Sequence, residues 1–315
     1  MVANPVFLVG AERSGSTLLR LMLDSHPEVS FFEEFEYAVQ QFGSDGPPEL
    51  DAYYEFLAHD RVYQLSRFSI DRDLKYEALV DSFLEQATEG DAAVRGATVH
   101  FGFDRVLSIW PDARFIHLIR DPRDVAPSVI EMSWAGNVYQ ALDKWLDAED
   151  TWSRIAPGLG ADRWVEVHFE DLIADHVGVL RRICAFLGVD YTDEMLSYAD
   201  DTDYGIPDPS RVSAWRDKLT DREVRLVEAR VGDLLEARGY QPSGLPALHI
   251  DRRQELLIKA DSKLRRPRQR AAKIGWMLVL AETITKALRW DAGYRAVRKR
   301  SHARINDNRR RSWRA

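Results

Sequence analysis

The first recognisable structural unit occupies residues 6–23, which read VFLVGAERSGSTLLRLML. Four apolar residues lead to Gly10, as in a short buried strand of a parallel sheet. The loop 10–16 carries two glycines, and the apolar spacing from Thr17 onward is typical of a helix. Strand, glycine loop and helix in this order predict the start of a nucleotide-binding α/β unit.

Two more apolar runs predict further strands, at 114–119 and 164–169. Pro122 suits the first turn of a helix over 125–132. Other helices are predicted within the aromatic-rich region 35–90 and over 138–155, 177–188, 220–238, 251–265, 269–289 and 291–305. Together these elements predict an α/β, P-loop-like, three-layer fold, with a central parallel sheet flanked by helices and a helical C-terminal extension.

The loop 10–16 predicts an anion site, because backbone N–H groups of a glycine turn and of a helix N-terminus point at one place. The spacing of Gly10 and Gly15 matches a P-loop. Ser16, however, stands where that motif has its lysine. The substitution argues against ATP or GTP hydrolysis. A different cation, Arg13, lies inside the loop, where its guanidinium can grip a phosphate or sulfate.

A second motif follows the predicted strand 114–119. Arg120 ends this strand, and Ser128 comes eight residues later on the next helix. A charge-assisted contact from Arg120 and a hydroxyl from Ser128 can close on one phosphate. The alternative is an ordinary ion pair of Arg120 with Asp121 or Asp124.

With these motifs the chain resembles the sulfotransferases that use 3′-phosphoadenylyl sulfate (PAPS). Residues 10–26 (GAERSGSTLLRLMLDSH) look like the tyrosylprotein and bacterial carbohydrate branch, which has arginine in the loop. Residues 164–172 (WVEVHFEDL) resemble the family's third strand, with Phe169 where tyrosine is usual. Residues 213–218 (SAWRDK) resemble its late cofactor-closing loop. The matching motifs cover about residues 5–220.

The resemblance implies a role for each matching residue. The loop holds the 5′-phosphosulfate of PAPS, and Arg13 also offsets charge on the departing phosphate oxygen. Arg120 and Ser128 hold the 3′-phosphate, and Phe169 touches adenine. The cofactor-binding residues expected are Arg13, Ser14, Gly15, Ser16, Thr17, Arg120, Ser128, Phe169, Ser213 and Lys218. The product is adenosine 3′,5′-bisphosphate (PAP), and no metal is expected.

The acceptor hydroxyl needs a base. Glu33 and Glu34 follow Arg13 by one helix and a short extended segment, which returns the chain to the sheet edge beside the loop. The resemblance assigns Glu34 as the base, with Arg13 as the second catalytic residue. His100 is a rival, at the place where the cytosolic branch has a histidine. Arg95 is a further candidate for steadying the transferred group.

The acceptor itself is expected to be a carbohydrate, a lipid or a small alcohol. The aromatic-rich stretch 31–68 is a candidate surface for stacking against it. Two other functions stay open. One is a P-loop phosphotransferase that uses ATP, and the other is a non-catalytic protein that binds a polyanion or a membrane.

The charge is divided unevenly along the chain. Residues 251–315 hold 20 Lys and Arg against 6 Asp and Glu, a balance of +14, within a net charge of −8. This basic extension suggests a partner of its own, which is an anionic membrane surface, the acidic remainder of the same chain or nucleic acid. Peripheral contact with an anionic membrane is expected rather than nucleic-acid binding. We expect a sulfotransferase-like nucleotide-binding domain over 1–240, a linker over 241–250 and the extension over 251–315.

The single cysteine, Cys184, lies in an apolar pattern and is interpreted as a core residue. The N-terminal apolar run is too short for a signal peptide. We therefore expect a cytoplasmic protein, with the extension as its membrane-peripheral part.

Overall fold

The structure, a computed structural model, describes residues 1–88, 92–202, 204–288, 290, 293–294, 296–301 and 304. Five parallel strands form one sheet in the order β2-β3-β1-β4-β5. They are β1 (Val6–Val9), β2 (Val29–Glu34), β3 (Val94–Val99), β4 (Arg114–Ile119) and β5 (Trp164–His168). The sheet confirms the predicted fold class, because helices pack on both of its faces.

Contacts divide the chain into two compact units, 1–124 with 144–214, and 125–143 with 215–315. The helices of the first unit are α1 (Ser16–Asp24), α2 (Leu50–His59), α3 (Arg61–Ser66), α4 (Tyr76–Gln86), α5 (Val106–Ile109), α9 (Phe169–Ala174), α10 (His176–Leu187) and α11 (Tyr198–Asp201). Two further helices run across a unit boundary, α6 (Pro122–Glu131) and α8 (Asp143–Ile155). The second unit contains α7 (Val138–Ala141), α12 (Trp215–Lys218), α13 (Asp221–Val231), α14 (Leu234–Ala237), α15 (Arg252–Ile274) and α16 (Trp276–Ala287). The predicted division at 240 and 250 stays a prediction, since compactness does not test independent folding.

One face of the sheet is covered by α1 and α10. Leu19 and Met22 of α1 and Ile183 of α10 are buried in one apolar cluster with Leu8 and Leu118 of the central strands. Burial of such side chains stabilises by about 1.5–3 kcal/mol each. Cys184 belongs to the same cluster, which confirms its interpretation as a core residue.

The other face is aromatic. Phe7 of β1 lies 5.1 Å from the Trp110 ring, and Phe115 of β4 lies 6.1 Å from the Trp152 ring of α8. Phe35 and Tyr37 continue this layer with their rings 5.1 Å apart. Both are almost fully buried.

This packing limits the expectation that the stretch 31–68 stacks against an acceptor to its half-buried rings. The other five of its ten rings are buried in the core: Phe31, Phe35, Tyr37, Tyr53 and Tyr63. Burial accordingly raises the pKa of the Tyr53 phenol well above its usual value. Rings at this depth hold the fold together and cannot contact a ligand at the surface.

Several predicted boundaries were wrong in detail. The predicted helix 138–155 is two helices that part at Leu142, and 220–238 divides at Gly232. The predicted strand 164–169 ends at His168. In the extension, α15 continues past residue 265 with Pro267 inside it, and Gly275 separates it from α16. The predicted helix 291–305 lies partly outside the described residues.

The second unit is held together by α7, α13 and α15. The amide N–H of Gly136 donates to Ser262 Oγ at 2.9 Å, and Asn137 Nδ2 donates to the Ile258 carbonyl at 2.8 Å. Arg230 of α13 lies over the Tyr139 ring at 4.2 Å. The first helix of the basic extension is therefore packed within this unit.

Candidate active site

The candidate residues of the first unit meet at one edge of the sheet. Loop 10–16 follows β1, Glu34 ends β2, and His100, Arg120 and Phe169 follow β3, β4 and β5. Because all five strands are parallel, these positions lie at their carboxyl ends. In open α/β sheets this is the edge where ligands bind.

Loop 10–16 has a strained backbone that only some residues tolerate. Gly10 has φ 136°, and a Cβ there would lie 2.1 Å from the Leu118 carbonyl oxygen. Arg13 also lies in the left-handed region, with φ 74°. A non-glycine residue held in this conformation stores strain, and such strain clusters at functional sites.

The loop ends at the N-terminus of α1, with Gly15 as its N-cap. No side chain of the described residues caps this helix, and its first turn has no acidic residue. Ser14 Oγ is buried and has no hydrogen-bond partner among the described residues. A buried hydroxyl without a partner is costly unless a ligand satisfies it. The loop therefore fits an anion that binds its amides and the Ser14 hydroxyl.

Arg120 reaches from the end of β4 to this loop. Its Nη1 donates to the Arg13 carbonyl at 3.2 Å, and its Nη2 donates to the Arg211 carbonyl at 2.7 Å. Burial, together with the nearby Arg13 and Arg211, lowers the pKa of Arg120. The guanidinium still stays charged, because an arginine pKa lies so far above neutral pH.

Of the two ion pairs considered for Arg120, the one with Asp121 is not formed, while Asp124 lies near enough for its charge to raise the pKa of Arg120. Asp121 is bound by Arg123, whose Nη2 lies 2.7 Å from Asp121 Oδ2. Within the described part of the chain, Arg120 forms no ion pair with a carboxylate, and its Nε is buried without a partner. The charges of Asp124 and Glu170 act on the guanidinium without a direct ion pair, so its N–H groups can still bind an anionic ligand.

Phe169 lies between the loop and Arg120. A Cβ on Gly15 would come within 2.3 Å of Phe169 Cδ2, and the Arg120 guanidinium lies 4.2 Å from the ring centroid. The ring is buried and one face is covered by Arg120. To stack on this face, adenine would need Arg120 to move away; otherwise adenine contacts only the edge of the ring. Contact of Phe169 with adenine stays a prediction.

The remaining predicted donor-binding residues fall in both units. Ser213, with φ 55°, lies two residues after Arg211, whose carbonyl accepts a hydrogen bond from Arg120. Ser128 lies on α6 and Lys218 on α12, both in the second unit. Lys218 Nζ lies 3.7 Å from Glu131 Oε1. Their roles stay predictions.

His100 contacts the loop directly. Its Nδ1 lies 3.0 Å from the Gly10 carbonyl oxygen, which can only accept, so Nδ1 carries the hydrogen. In the neutral ring, Nε2 is then the acceptor, and it lies 3.4 Å from Ser16 Oγ. The ring thus presents a proton-accepting nitrogen to the loop.

Glu36 was missed by the sequence analysis. It is buried, and its Oε1 accepts a 2.8 Å hydrogen bond from the backbone N–H of His100. Burial raises the pKa of the Glu36 carboxyl, although nearby His100 opposes this. The Glu36 carboxyl thus holds the backbone at His100, where the chain leaves β3. Its position after Glu33 and Glu34 made it look like one more surface carboxylate, and no signal distinguished it.

Glu33 and Glu34 are exposed at the end of the edge strand β2. The register with β3 shifts between Phe32 and Glu34, so Glu33 is the residue added on the β2 side. Such a bulge re-aims the neighbouring side chains. Arg95 pairs with Ser30 at the amino end of β3, the far end of the sheet from the loop. Its predicted place beside the transferred group was therefore wrong.

A cavity of about 410 Å³ opens beside the loop. It is lined by polar and apolar surface alike: Glu12, His100, Phe101, Gly102, Phe103, Asp104, Arg105, Lys144, Asp147, Ala148, Thr151 and Arg154. Glu12 of the loop pairs with Lys144 of α8, a contact that the sequence analysis missed. The cavity joins the loop to α8 and has His100 in its wall.

Metal ligands were not expected. Across the described ranges, no three or more His, Cys, Asp or Glu side chains are grouped so as to hold a metal ion. Independence from metal stays a prediction.

The fold and the loop define a class that comparison with known proteins identifies. Residues 5–193 match the sequence profile of the sulfotransferase family. The chain belongs to this family, which confirms the resemblance drawn from its motifs.

The relatives include enzymes with different acceptors. A protein-tyrosine sulfotransferase of Drosophila melanogaster is 26% identical over 208 residues, 62% of this chain and 40% of that protein. The omega-hydroxy-beta-dihydromenaquinone-9 sulfotransferase Stf3 of Mycobacterium tuberculosis is 28% identical over 165 residues, 47% of this chain and 40% of that protein. The chain thus spans less than half the length of either relative.

A solved structure shares the fold. The sulfotransferase domain of the Synechococcus PCC 7002 olefin synthase superposes with a TM-score of 0.52. The two are 24% identical, and the match covers 74% of this chain and 97% of that one.

Proposed function

We propose that this chain transfers a sulfuryl group from PAPS to a hydroxyl of an acceptor. The observation that carries the proposal is the charge of Arg120, which spans the Arg13 and Arg211 carbonyls without a carboxylate partner in the described chain. It lies beside a loop with the unpartnered Ser14 hydroxyl. Family membership supports sulfuryl rather than phosphoryl transfer, as does Ser16 in place of a P-loop lysine.

Donor binding divides between two groups of residues. The amides of loop 10–16, with Arg13, Ser14, Gly15, Ser16 and Thr17, hold the 5′-phosphosulfate. Arg120 and Ser128 hold the 3′-phosphate, while Phe169, Ser213 and Lys218 line the nucleotide. When bound, the donor supplies its sulfuryl group: the bond from sulfur to the phosphate oxygen breaks as the acceptor oxygen bonds to sulfur, and PAP departs. Fixed cations and amides at this position stabilise the developing charge.

Glu34 accepts the acceptor proton in this proposal. It ends the strand next to β3, so its carboxylate belongs to the same edge as loop 10–16. The bulge at Glu33 supports a distinct orientation for each of the two glutamates. A second candidate base is His100, which is favoured by the acceptor nitrogen that it presents 3.4 Å from Ser16 Oγ.

The acceptor enters the cavity beside His100. Three carboxylates (Glu12, Asp104, Asp147) and three cations (Arg105, Lys144, Arg154) line it, so its charges balance. Phe101, 47% exposed, offers one aromatic face. Side chains of both charges beside an exposed ring suit a neutral, hydroxyl-rich ligand, which can both donate to carboxylates and stack. Of the three acceptor classes expected from the sequence, this supports a carbohydrate.

Transfer of labelled sulfur tests the proposal. The full chain is incubated with sulfur-labelled PAPS and panels of sugars, phenols and lipid alcohols. The expected result is labelled product with one or more sugars and stoichiometric release of PAP. Phosphate transfer from labelled ATP, with none of sulfur from PAPS, would contradict it. Asp104→Asn and Asp147→Asn should raise the KM for the acceptor and leave PAP affinity unchanged.

A further inference from the structure

The α15–α16 hairpin in the second unit has one face that packs inward. Ala271, Ile274 and Val279 form a small buried cluster where the two helices meet. Arg270 Nη2 lies 2.6 Å from Glu282 Oε2 across the pair. These contacts use one face of α16 and fix which residues point away.

The opposite face of α16 is apolar and exposed. Trp276, Leu280, Ile284 and Leu288 recur every four residues, and Met277 lies beside them. Their exposed fractions are 53%, 55%, 55%, 70% and 85% in the order Trp276, Leu280, Ile284, Leu288, Met277. At about 100° per residue they fall on one side of the helix. A soluble protein rarely leaves such a row in water without a partner.

The neighbouring helix α15 is strongly basic. It carries nine Lys and Arg against two acidic residues, Glu255 and Asp261. Those two carboxylates are bound by Lys259 and Arg265 one turn away. Lys263 and Arg268 are exposed and form no ion pair within the described chain. The hairpin thus combines a positive helix with an apolar one.

We propose that this surface, the apolar face of α16 with Lys263 and Arg268 of α15, docks on an anionic lipid bilayer. Apolar side chains enter the boundary between headgroups and acyl chains, while Lys and Arg bind the negative headgroups. Among the described residues, no helix combines the length and apolar character needed to cross a bilayer. The hairpin therefore lies on the membrane.

The charge selects this partner over two others. A second copy of the chain would bring like-charged α15 helices together, which is unfavourable. Nucleic acid would match the basic residues but leave Trp276 and its apolar neighbours in water. An anionic bilayer satisfies both halves of the surface.

Sedimentation with vesicles tests this independently of catalysis. The full chain should bind vesicles that contain phosphatidylserine more tightly than pure phosphatidylcholine vesicles, and salt should weaken the difference. Lys263→Gln/Arg268→Gln should weaken binding roughly thirtyfold, at about tenfold per 1.4 kcal/mol. Trp276→Ser/Leu280→Ser/Ile284→Ser should weaken it on both vesicles. Leu65→Ser, which changes a leucine on α3 that is 70% exposed, is the control and should leave vesicle binding unchanged.

Three outcomes would overturn the proposal. The first is a wild-type chain that stays in the supernatant with both vesicles. The second is a loss of vesicle binding in Leu65→Ser equal to the loss in the α16 variant, Trp276→Ser/Leu280→Ser/Ile284→Ser. The third is a concentration-dependent dimer, or an RNA complex, that the α16 variant abolishes while vesicle binding persists. Circular dichroism establishes that each variant is folded.

Discussion

Arg120 Nη1 donates a 3.2 Å hydrogen bond to the carbonyl oxygen of Arg13, which joins the end of β4 to the loop after β1. The contact occupies a carbonyl acceptor of the loop and uses none of its N–H groups. It also places the Arg120 charge beside those groups without neutralising it. The loop and Arg120, 107 residues apart in sequence, are therefore in direct contact.

Gly15→Ala should disrupt this site through sterics. Its φ of 98° costs a non-glycine residue about 1–2 kcal/mol, and the new Cβ would overlap the Phe169 ring. We expect urea unfolding to show at least this loss of stability, and calorimetry to show PAP binding weakened more than tenfold.

Two controls separate strain from overlap. Gly188→Ala has φ 85° and no atom within 4 Å of its added Cβ, so it should lose stability by backbone strain alone and keep PAP affinity. In the double variant Gly15→Ala/Phe169→Ala the overlap disappears. The stability losses of the two single variants should therefore sum to more than the stability loss of the double variant. Strict additivity would show that the ring does not press on Gly15.

Glu34→Gln should keep the shape of the site while removing proton acceptance. We expect kcat to fall about 10²–10⁴-fold, the usual contribution of general acid–base catalysis. PAP affinity should barely change. Steady-state kinetics with the best sugar acceptor measures kcat, and calorimetry measures PAP affinity.

Glu33→Gln is the matched control, since Glu33 is the bulged neighbour. It should retain most of its kcat. If His100→Ala or Glu33→Gln abolishes turnover while Glu34→Gln stays active, the general base is the residue whose substitution abolished turnover. For His100 the geometry already points Nε2 at Ser16.

A buried charge network gives a prediction about stability. His117 Nδ1 lies 3.1 Å from Glu166 Oε2, and its Nε2 lies 3.3 Å from Glu149 Oε1. His117 and Glu149 are fully buried. His117→Gln removes the cation beside the buried Glu149, so we expect a loss of about 3–5 kcal/mol in urea unfolding. His117→Phe/Glu149→Leu removes both charges and should cost less than the single change.

The same network predicts how stability varies with pH. Burial alone would lower the pKa of His117, but Glu149 and Glu166 outweigh it and raise the pKa above 6.5. This stabilisation is complete below pH 6.5 and is lost as pH rises through the folded-state pKa. Hydrogen bonds from His117 and His168 lower the pKa of Glu166 below 4.5, so its contribution is present above pH 4.5 and lost on acidification. His117→Phe/Glu149→Leu should flatten the decline above pH 6.5, and an unchanged slope would contradict this origin.

The sequence predicted the elements whose signals are local. Strand β1 is a continuous apolar run and β4 and β5 are rich in apolar residues, and each is followed by a motif that the structure places at one edge. Strands β2 and β3 were not predicted as strands. The first ends in two glutamates, and Arg95 and Gly96 interrupt the second. Edge position and close packing, which the sequence does not display, stabilise them instead.

Burial was the property hardest to predict. The rings of Phe35 and Tyr37 looked suited to a ligand but fill the core, while Glu36 between them is a buried carboxylate that binds the His100 backbone. Both outcomes depend on which side of the chain faces the sheet. A one-residue change of register exchanges those sides, and composition carries no record of it.

The central claim is that the site binds a nucleotide with both a 5′- and a 3′-phosphate. Calorimetry of the full chain with PAP and with adenosine 5′-phosphate tests it most directly. A charge-assisted contact contributes about 1.5–3 kcal/mol, so PAP should bind at least tenfold tighter, and Arg120→Ala should remove that preference. Arg181→Ala, an arginine on α10 that lies over Tyr191, should leave it intact. Equal affinity of the wild-type chain for the two nucleotides would contradict the account.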